Sequence, residues 1–270
     1  MTGKFLRRGL LGCFAVQAIA AGFASGFPAR ADKKTSQAAQ SEEGQSDGSK
    51  KTDPQKEAHF EGQVTITVEL NYLVYLPPEY ASGDQHWPLL LFLHGSGERG
   101  TDIDEVKTHG PPKLIAEGKQ FPFIVVSPQA PRRRWVPEAL AALLDDVMRK
   151  YRVDKDRVYL TGLSMGGSGT WALAAAVPDK FAAIAPICGS GDPVEAKALK
   201  DVPVWVFHGA EDESVPVKRS EEMVKALQEA GAKEVKFTVY PDVGHDAWTD
   251  AYNDPELYHW LLSHRLSERK

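Results

Sequence analysis

From about residue 60 onward, apolar residues gather in short continuous runs. Such runs are typical of strands that are buried on both faces of a parallel sheet. The predicted strands cover residues 89–93, 123–126, 158–160, 182–187, 204–207 and 237–240. The start of this region differs, because Val64, Ile66 and Val68 alternate with polar residues before a further apolar stretch at 72–76. This alternation predicts an antiparallel hairpin that opens the fold.

Two segments between these strands have apolar residues at the spacing of a helix. One helix has its apolar face on Leu140, Leu143, Leu144, Val147 and Tyr151. Another has it on Met223, Val224, Leu227 and Ala230, and Gly231 follows as a stop signal. Strands that alternate with helices predict an α/β protein with a doubly wound, mostly parallel sheet flanked by helices. In such a sheet the ligand crevice lies beyond the carboxyl ends of the strands.

The N-terminal region has the pattern of an export signal. Lys4, Arg7 and Arg8 precede an uncharged run over residues 9–27, and Ala29-Arg30-Ala31 then offers a small-x-small cleavage site. We expect a signal peptide over residues 1–31, cleaved near Ala31, and a mature protein that is periplasmic or secreted. The alternatives left open are a retained membrane anchor and, because of the paired arginines, a twin-arginine export route. No stable membrane insertion of the mature domain is expected.

A polar segment separates this signal from the folded domain. Residues 32–58 contain no aromatic or large aliphatic side chain, so they cannot bury enough apolar surface to offset their ordering entropy. We expect a flexible linker over 32–58 and one catalytic domain over 59–270. The overall content of 42% hydrophobic and 26% charged residues is ordinary for a soluble globular protein.

Charge and cysteine content exclude several classes of protein. The formal charge is −5, and loss of residues 1–31 removes basic residues but no acidic ones. An acidic mature chain argues against a nucleic-acid partner. Cys13 leaves with the signal and Cys188 remains, so an intramolecular disulfide is impossible. The acidic residues of segment 102–105 lack metal-loop spacing, and we expect no metal and no cofactor.

The segment Gly162-Leu163-Ser164-Met165-Gly166 has the G-x-S-x-G pattern of a nucleophile elbow. It stands between a predicted strand and a small-residue helix, which is the context that this motif requires. The sharp turn must raise the serine Oγ above the sheet edge, and glycines remove the Cβ atoms that would collide there. We therefore predict Ser164 as the nucleophile. A chance glycine-rich turn is the alternative.

A serine nucleophile needs a base and an acid at the same edge of the sheet. His245 follows the last predicted strand and is the predicted base, whereas His94 and His208 end strands and are expected to hold loops. Asp212 follows the strand at 204–207 and is the predicted acid. Asp192, after the preceding strand, is the competing candidate. The order Ser, Asp, His suits an α/β-hydrolase.

The loop at 93–100, Leu-His-Gly-Ser-Gly-Glu-Arg-Gly, has an H-G-x-G pattern after the first long apolar strand. Backbone N–H groups of Ser96 and Met165 are the predicted oxyanion-hole donors, with simple turn glycines as the alternative. Trp135 and Trp248 lie in loops at the same edge and are candidate substrate-binding walls, unless they pack in the core. The arginines at 132–134 either attract an acidic substrate or form a solvated face.

Residues 60–266 resemble the uncapped α/β-hydrolase esterases, near the feruloyl and acetyl-xylan esterase group and the related phospholipase/carboxylesterase and predicted-peptidase families. The motifs at 93–100, 162–167, 209–216 and 244–248 carry this resemblance. It implies an α/β-hydrolase fold, and the short connection over 188–202 leaves no room for a substantial cap domain. It further implies a serine hydrolase that cleaves small-molecule or polysaccharide-linked carboxylic esters through an acyl-enzyme on Ser164. A serine peptidase, a lysophospholipase and a catalytically silent tethered binding domain remain alternatives.

Overall fold

Seven strands form a single sheet in the computed structural model, which describes residues 67–132 and 134–269 together with His59. Along the sheet the order is β1-β3-β2-β4-β5-β6-β7. Only β1 runs antiparallel to its neighbour in this described part, and all other pairs are parallel. The bounds are β1 Tyr72–Tyr75, β2 Trp87–Leu93, β3 Ile124–Pro128, β4 Val153–Leu163, β5 Ala183–Ile187, β6 Val204–Gly209 and β7 Val235–Tyr240. The predicted doubly wound, mostly parallel sheet is thus confirmed.

Helices cover both faces of this sheet. Their bounds are α1 Gly110–Ala116, α2 Pro137–Lys150, α3 Met165–Ala176, α4 Lys218–Glu229, α5 Ala247–Asn253 and α6 Pro255–Leu262. Apolar side chains of α2, α3 and α4 join one core cluster, and those of α1, α5 and α6 join the other. The predicted apolar face of α2 is buried, and Gly231 follows the end of α4 with a φ of 82°.

Strand β2 explains why the predicted strands are continuous apolar runs. Leu89, Leu91 and Leu93 point into one core, while Leu90 and Phe92 point into the other, and each is at most 1% exposed. Successive side chains of a strand alternate between faces, so a strand buried on both sides needs an apolar residue at every position. Burial of each such side chain contributes about 1.5–3 kcal/mol.

The predicted opening hairpin stays a prediction, because Val64 and Ile66 of its first arm lie outside the described residues. Residues 67–71 form no strand. The apolar stretch of the second arm forms β1, which pairs antiparallel with β3, where Tyr72 faces Pro128 and Tyr75 faces Val125. Alternation predicts that a strand has two different faces, but it does not identify the partner. The predicted signal peptide and linker also lie outside the described residues and stay predictions.

The connection from β5 to β6 contains only a short 3₁₀ helix over Pro193–Leu199, and no separate cap is present in the part of the chain that the structure describes. The loops after β2, β4, β6 and β7 therefore meet at an open edge, because the carboxyl ends of parallel strands share one edge. Across residues 67–132 and 134–269, no helix is long and apolar enough to cross a membrane.

Candidate active site

Ser164 occupies a strained turn between β4 and α3. Its φ is 53° and its ψ is −115°, a combination that is rare for a residue with a Cβ. Such conformations cost about 1–3 kcal/mol and persist where the surrounding structure enforces them. The Ser164 N–H donates to Ile187 O at 2.9 Å, and α3 begins at the next residue. The turn therefore holds the hydroxyl at the N-terminus of a helix, where the dipole favours negative charge.

Two glycines make this turn possible through close backbone approach. A Cβ at Gly166 would lie 1.9 Å from Leu93 O, and one at Gly162 would lie 2.4 Å from Gly166 O. Neither atom is part of a flexible side chain, so no larger residue fits without backbone movement. The G-x-S-x-G pattern predicts this local structure correctly, because the pattern specifies the positions where Cβ atoms are forbidden.

Ser164, His245 and Asp212 lie in one continuous hydrogen-bonded chain. The Ser164 Oγ is 2.8 Å from His245 Nε2, and His245 Nδ1 is 2.7 Å from Asp212 Oδ2. An ionised carboxylate accepts only, so His245 Nδ1 carries the proton and Nε2 accepts the serine hydroxyl. The structure thus brings the three residues together with the geometry of a nucleophile, a base and an orienting acid.

Asp212 is held rigidly. Its side chain is fully buried, and Oδ1 accepts the N–H groups of Ser214 at 2.9 Å and Val215 at 2.8 Å. Burial opposes ionisation, but the hydrogen bonds from His245, Val215 and Ser214 outweigh it and lower the pKa of Asp212 below its ordinary value. The carboxylate is therefore ionised at neutral pH and fixes the tautomer of His245.

His208 is a further partner of Asp212, and its support of the acid was not predicted beyond a general loop-holding role. His208 Nε2 lies 2.7 Å from Val215 O and 3.1 Å from Asp212 Oδ2, and Nδ1 is 2.7 Å from Ser220 Oγ. Both side chains of the His208–Asp212 contact are completely buried. The His-Gly pair at the end of β6 was the available signal, but sequence alone does not show which carboxylate the imidazole faces.

The loops that carry His245 and Asp212 are joined through their backbones. The N–H of Glu211 donates to Val243 O at 3.0 Å, and a Cβ at Gly209 would lie 2.1 Å from Gly244 O. Asp192 has no such contact, because it is exposed and its Oδ1 accepts the Val194 N–H at 3.0 Å. The structure therefore brings Asp212, and not Asp192, to His245.

The predicted oxyanion-hole residues flank the nucleophile. Met165 is the first residue of α3, where backbone N–H groups lack partners within the helix. On the other side, a Cβ at Gly95 would lie 3.7 Å from Ser164 Cβ, so the loop that carries Ser96 passes directly beside the serine. Arg99 Nε donates to Ser96 O at 2.5 Å and His94 is buried, with Nδ1 2.6 Å from Gly95 O. These bonds fix the loop.

Trp135 and Trp248 have different surroundings. Trp135 is 6% exposed, donates from Nε1 to His94 O at 3.2 Å, and belongs to the core. Trp135 also lines a groove of about 820 Å³, together with Met165 and Ser168. Trp248 is half-buried, and its ring packs edge-on against His245 at a centroid distance of 5.3 Å. Of the predicted walls, Trp248 therefore lies directly beside the candidate base.

A thiol also lies near the triad. The ligand atoms of Cys188, Asp212 and His245 lie within 4.8 Å of one another. However, Asp212 and His245 are hydrogen-bonded to each other, and burial raises the pKa of the Cys188 thiol far above its usual range, so the thiolate that metals prefer is disfavoured. This donor set suits a catalytic dyad better than a metal ion.

Comparison with known proteins agrees with the fold. Residues 125–257 match the model of the Dienelactone hydrolase family. A bifunctional acetylxylan esterase/xylanase of Neocallimastix patriciarum is 30% identical over 164 residues, which are 56% of this chain and 23% of that protein. The chain therefore spans about a quarter of that relative's length.

Two solved structures share this architecture. A thermostable esterase is 33% identical with a TM-score of 0.63, over 73% of this chain and 60% of that chain. A ferulic acid esterase is 24% identical with a TM-score of 0.54, over 70% of this chain and 89% of that chain. The second likeness concerns the fold alone.

Proposed function

We propose that this chain is an α/β-hydrolase of the dienelactone hydrolase family and that it hydrolyses carboxylic esters through an acyl-enzyme on Ser164. The observation that carries the proposal is the hydrogen-bonded chain from Ser164 Oγ to His245 and on to Asp212, with distances of 2.8 and 2.7 Å. These three hydrogen-bonded residues lie at the carboxyl edge of the sheet, where ligands bind in folds of this kind.

In the first half of the reaction, Ser164 Oγ attacks the ester carbonyl carbon while its proton moves to His245 Nε2. The carbonyl π electrons become an oxyanion, which accepts hydrogen bonds from the N–H groups of Ser96 and Met165. Each such donor contributes about 3–4 kcal/mol of transition-state stabilisation. Asp212 stabilises the imidazolium. The intermediate then expels the alkoxide, which takes the proton from His245 and leaves as an alcohol.

In the second half, water replaces the alcohol beside His245. The imidazole takes one proton from this water, whose oxygen attacks the acyl carbon. Collapse of the second tetrahedral intermediate breaks the bond to Ser164 Oγ, which recovers the proton, and a carboxylic acid leaves. The buried and ionised Asp212 orients His245 in both halves.

The open edge favours compact acyl groups. With no cap over the described residues, nothing forms a roofed apolar tunnel for a long chain, and we propose that the acyl group lies in the groove beside Met165. Short-chain or aromatic acyl esters, small or linked to a polysaccharide, are the expected substrates. A series of 4-nitrophenyl esters tests this: kcat/KM that rises steadily beyond eight carbons, or a rate jump above the solubility limit, would favour a lipase instead.

Labelling with a fluorophosphonate tests the nucleophile. Ser164→Ala should abolish both labelling and hydrolysis of 4-nitrophenyl acetate, because the attacking oxygen is lost. Ser214→Ala is the matched control, since its side chain is exposed on the acid loop and only its N–H contacts Asp212. Labelling that persists in Ser164→Ala would contradict the proposal, and an unlabelled wild type would favour a silent binding domain.

We also propose that the protein is exported and that residues 1–31 are removed. The support is the charged start, the uncharged run and the Ala29-Arg30-Ala31 site in the sequence. Amino-terminal sequencing of the exported protein should find a start near Asp32. A start at Met1 would instead indicate a retained anchor.

A further inference from the structure

Glu98 is a buried carboxylate on the loop that follows β2, outside the hydrogen-bonded chain of the nucleophile. The residue is 6% exposed, and its Oε2 has no hydrogen-bond partner within residues 67–132 and 134–269. Burial of an acceptor without a donor costs free energy, more so for a charged group. A buried polar atom that is left in this state therefore calls for a role.

Two histidines flank the Glu98 carboxylate, and neither is within hydrogen-bond distance of it. His94 Nδ1 is 3.7 Å from Oε2. His94 Nε2 accepts the Ala130 N–H at 2.9 Å, so Nδ1 carries its proton and donates it to Gly95 O. Burial lowers the pKa of His94 to about 4, and this imidazole is neutral at pH 7. It does not balance the charge of Glu98.

His109 flanks the same carboxylate. Its Nε2 lies 3.8 Å from Glu98 Oε1, and the His109 side chain is 31% exposed whereas that of Glu98 is 7% exposed. A hydroxyl oxygen about 2.8 Å from each of these two atoms would bridge them, since they are too far apart to bond directly. A carboxylate and an imidazole together accept from and donate to such a hydroxyl.

This pair lies on the His245 side of Ser164. A Cβ at Gly95 would lie 3.3 Å from Glu98 Oε2 and 3.7 Å from Ser164 Cβ, so both groups border the same glycine. The ring centroids of His109 and Trp248 are 5.3 Å apart, and those of Trp248 and His245 are also 5.3 Å apart. Glu98, His109 and Trp248 thus form a wall between the loop after β2 and the candidate base.

The alcohol part of an ester must lie against this wall if the proposed reaction is correct. His245 Nε2 returns the proton to the leaving alkoxide, which requires that oxygen to be within hydrogen-bond reach of it. The atoms attached to that oxygen then lie on the side where Trp248 and His109 stand. A hydroxyl near the ester oxygen would therefore reach Glu98.

We propose that Glu98 and His109 bind a free hydroxyl of the alcohol part, so that the preferred substrate is an acyl ester of a polyhydroxy compound such as a sugar. The inference rests on the proposed ester hydrolysis and adds the class of alcohol. A hydroxyl that donates to a carboxylate forms a charge-assisted hydrogen bond. Its loss should lower kcat/KM by about 10- to 100-fold.

Two acetates that differ by one hydroxyl test this in the full chain. trans-2-Hydroxycyclohexyl acetate presents a hydroxyl next to the ester, and cyclohexyl acetate lacks it. We define the hydroxyl preference as the ratio of their kcat/KM values, corrected for their rates of alkaline hydrolysis. The wild type should prefer the hydroxyl-bearing ester by about 10- to 100-fold.

Variants locate the origin of the preference. Glu98→Gln should lower it at least about tenfold, and His109→Phe should lower it as well, since phenylalanine keeps a ring beside Trp248 but has no nitrogen. Glu105→Gln is the matched control, because the same change falls on an exposed side chain of the following segment, and it should keep the full preference. If Glu98→Gln does not fold, His109→Phe and the wild-type ratio decide.

Two outcomes would overturn the inference in distinguishable ways. A wild type that hydrolyses 4-nitrophenyl acetate but shows no hydroxyl preference, or a preference that both Glu98→Gln and His109→Phe retain, would refute the hydroxyl site alone. A wild type that hydrolyses neither 4-nitrophenyl acetate nor the two cyclohexyl esters would refute the proposed function, and this inference with it.

Discussion

Asp192 and Asp212 have similar places in the sequence and different surroundings in the structure. Each follows the carboxyl end of a strand, β5 for Asp192 and β6 for Asp212, in a loop that contains glycine. Asp192 is exposed and caps the 3₁₀ helix at Pro193–Leu199. The Asp212 side chain is completely buried, and polar atoms of Ser214, Val215, His208 and His245 surround it.

Strand order accounts for this difference. Strand β6 lies beside β7, so the β6 loop meets the loop that carries His245, and Glu211 N–H bonds to Val243 O at 3.0 Å. Strand β5 is separated from β7 by β6, and its loop turns instead toward α4 and the groove. The candidate acid on the loop after β6 therefore reaches the candidate base on the loop after β7, and the acidic loop after β5 does not.

The largest expected difference between Asp212 and Asp192 is in kcat, after each carboxylate is replaced by an amide. Asp212→Asn should lower kcat for 4-nitrophenyl acetate by about 10⁴-fold, because an amide at this place favours the wrong tautomer of His245. Asp192→Asn should lower kcat by less than about threefold, as expected for an exposed surface substitution. Both kcat values are measured at pH 7.5 on folded protein. A larger loss for Asp192→Asn would reverse the assignment of the acid.

A smaller loss of kcat is expected when His208, whose imidazole lies beside Asp212, is replaced. His208→Gln removes the ring that lies 3.1 Å from Asp212 Oδ2 and bonds to Val215 O on the same loop, and kcat should fall about 10- to 100-fold because the buried acid loses a polar neighbour. His259→Gln is the matched control, because His259 is an exposed histidine beside Glu256. If His208→Gln lowers only the unfolding midpoint and leaves kcat unchanged, His208 holds the loop without orienting the acid.

The pH dependence of stability tests the surroundings of Asp212 without any substrate. Because the folded-state pKa of Asp212 lies below its ordinary value of 3.8, ionised Asp212 stabilises the fold above about pH 4. This stabilisation is lost as the pH falls through the lowered pKa. The difference in unfolding free energy between wild type and Asp212→Asn should therefore shrink from pH 6 to pH 3 in urea titrations. A constant difference would contradict the depressed pKa.

The sequence predicts the parts of this site that depend on local pattern. Six apolar runs became strands of the sheet, and the glycines around Ser164 are where a Cβ would collide with Leu93 O or Gly166 O. These features follow from the spacing of apolar residues and from the steric limits on Cβ atoms within one segment. The loop positions of the candidate base and the candidate acid also follow, because carboxyl ends of parallel strands share an edge.

Features that depend on contacts between distant segments were not predictable. The pairing of β1 with β3 joins residues about fifty positions apart, and nothing in an alternating pattern names that partner. The burial of Glu98 is another such feature, because the sequence shows only a glycine-rich loop and not that the Glu98 side chain lies between His109 and Gly95. Trp135 and Trp248 look alike in the sequence, yet only one belongs to the core on the α3 side.

The smallest expected effect is on stability, after loss of the helix cap that Asp192 provides. Asp192 Oδ1 accepts the Val194 N–H at 3.0 Å at the start of Pro193–Leu199, so Asp192→Ala leaves one backbone donor without its partner. Loss of such a cap costs about 1 kcal/mol, and exposure to water allows solvent to replace part of it. Asp192→Asn keeps an accepting oxygen and should retain most of this stability. Urea unfolding of both variants measures the difference. Equal stability of the alanine and asparagine variants would mean that Asp192 contributes no cap, and that Asp212 alone of the two carboxylates has a role in its loop.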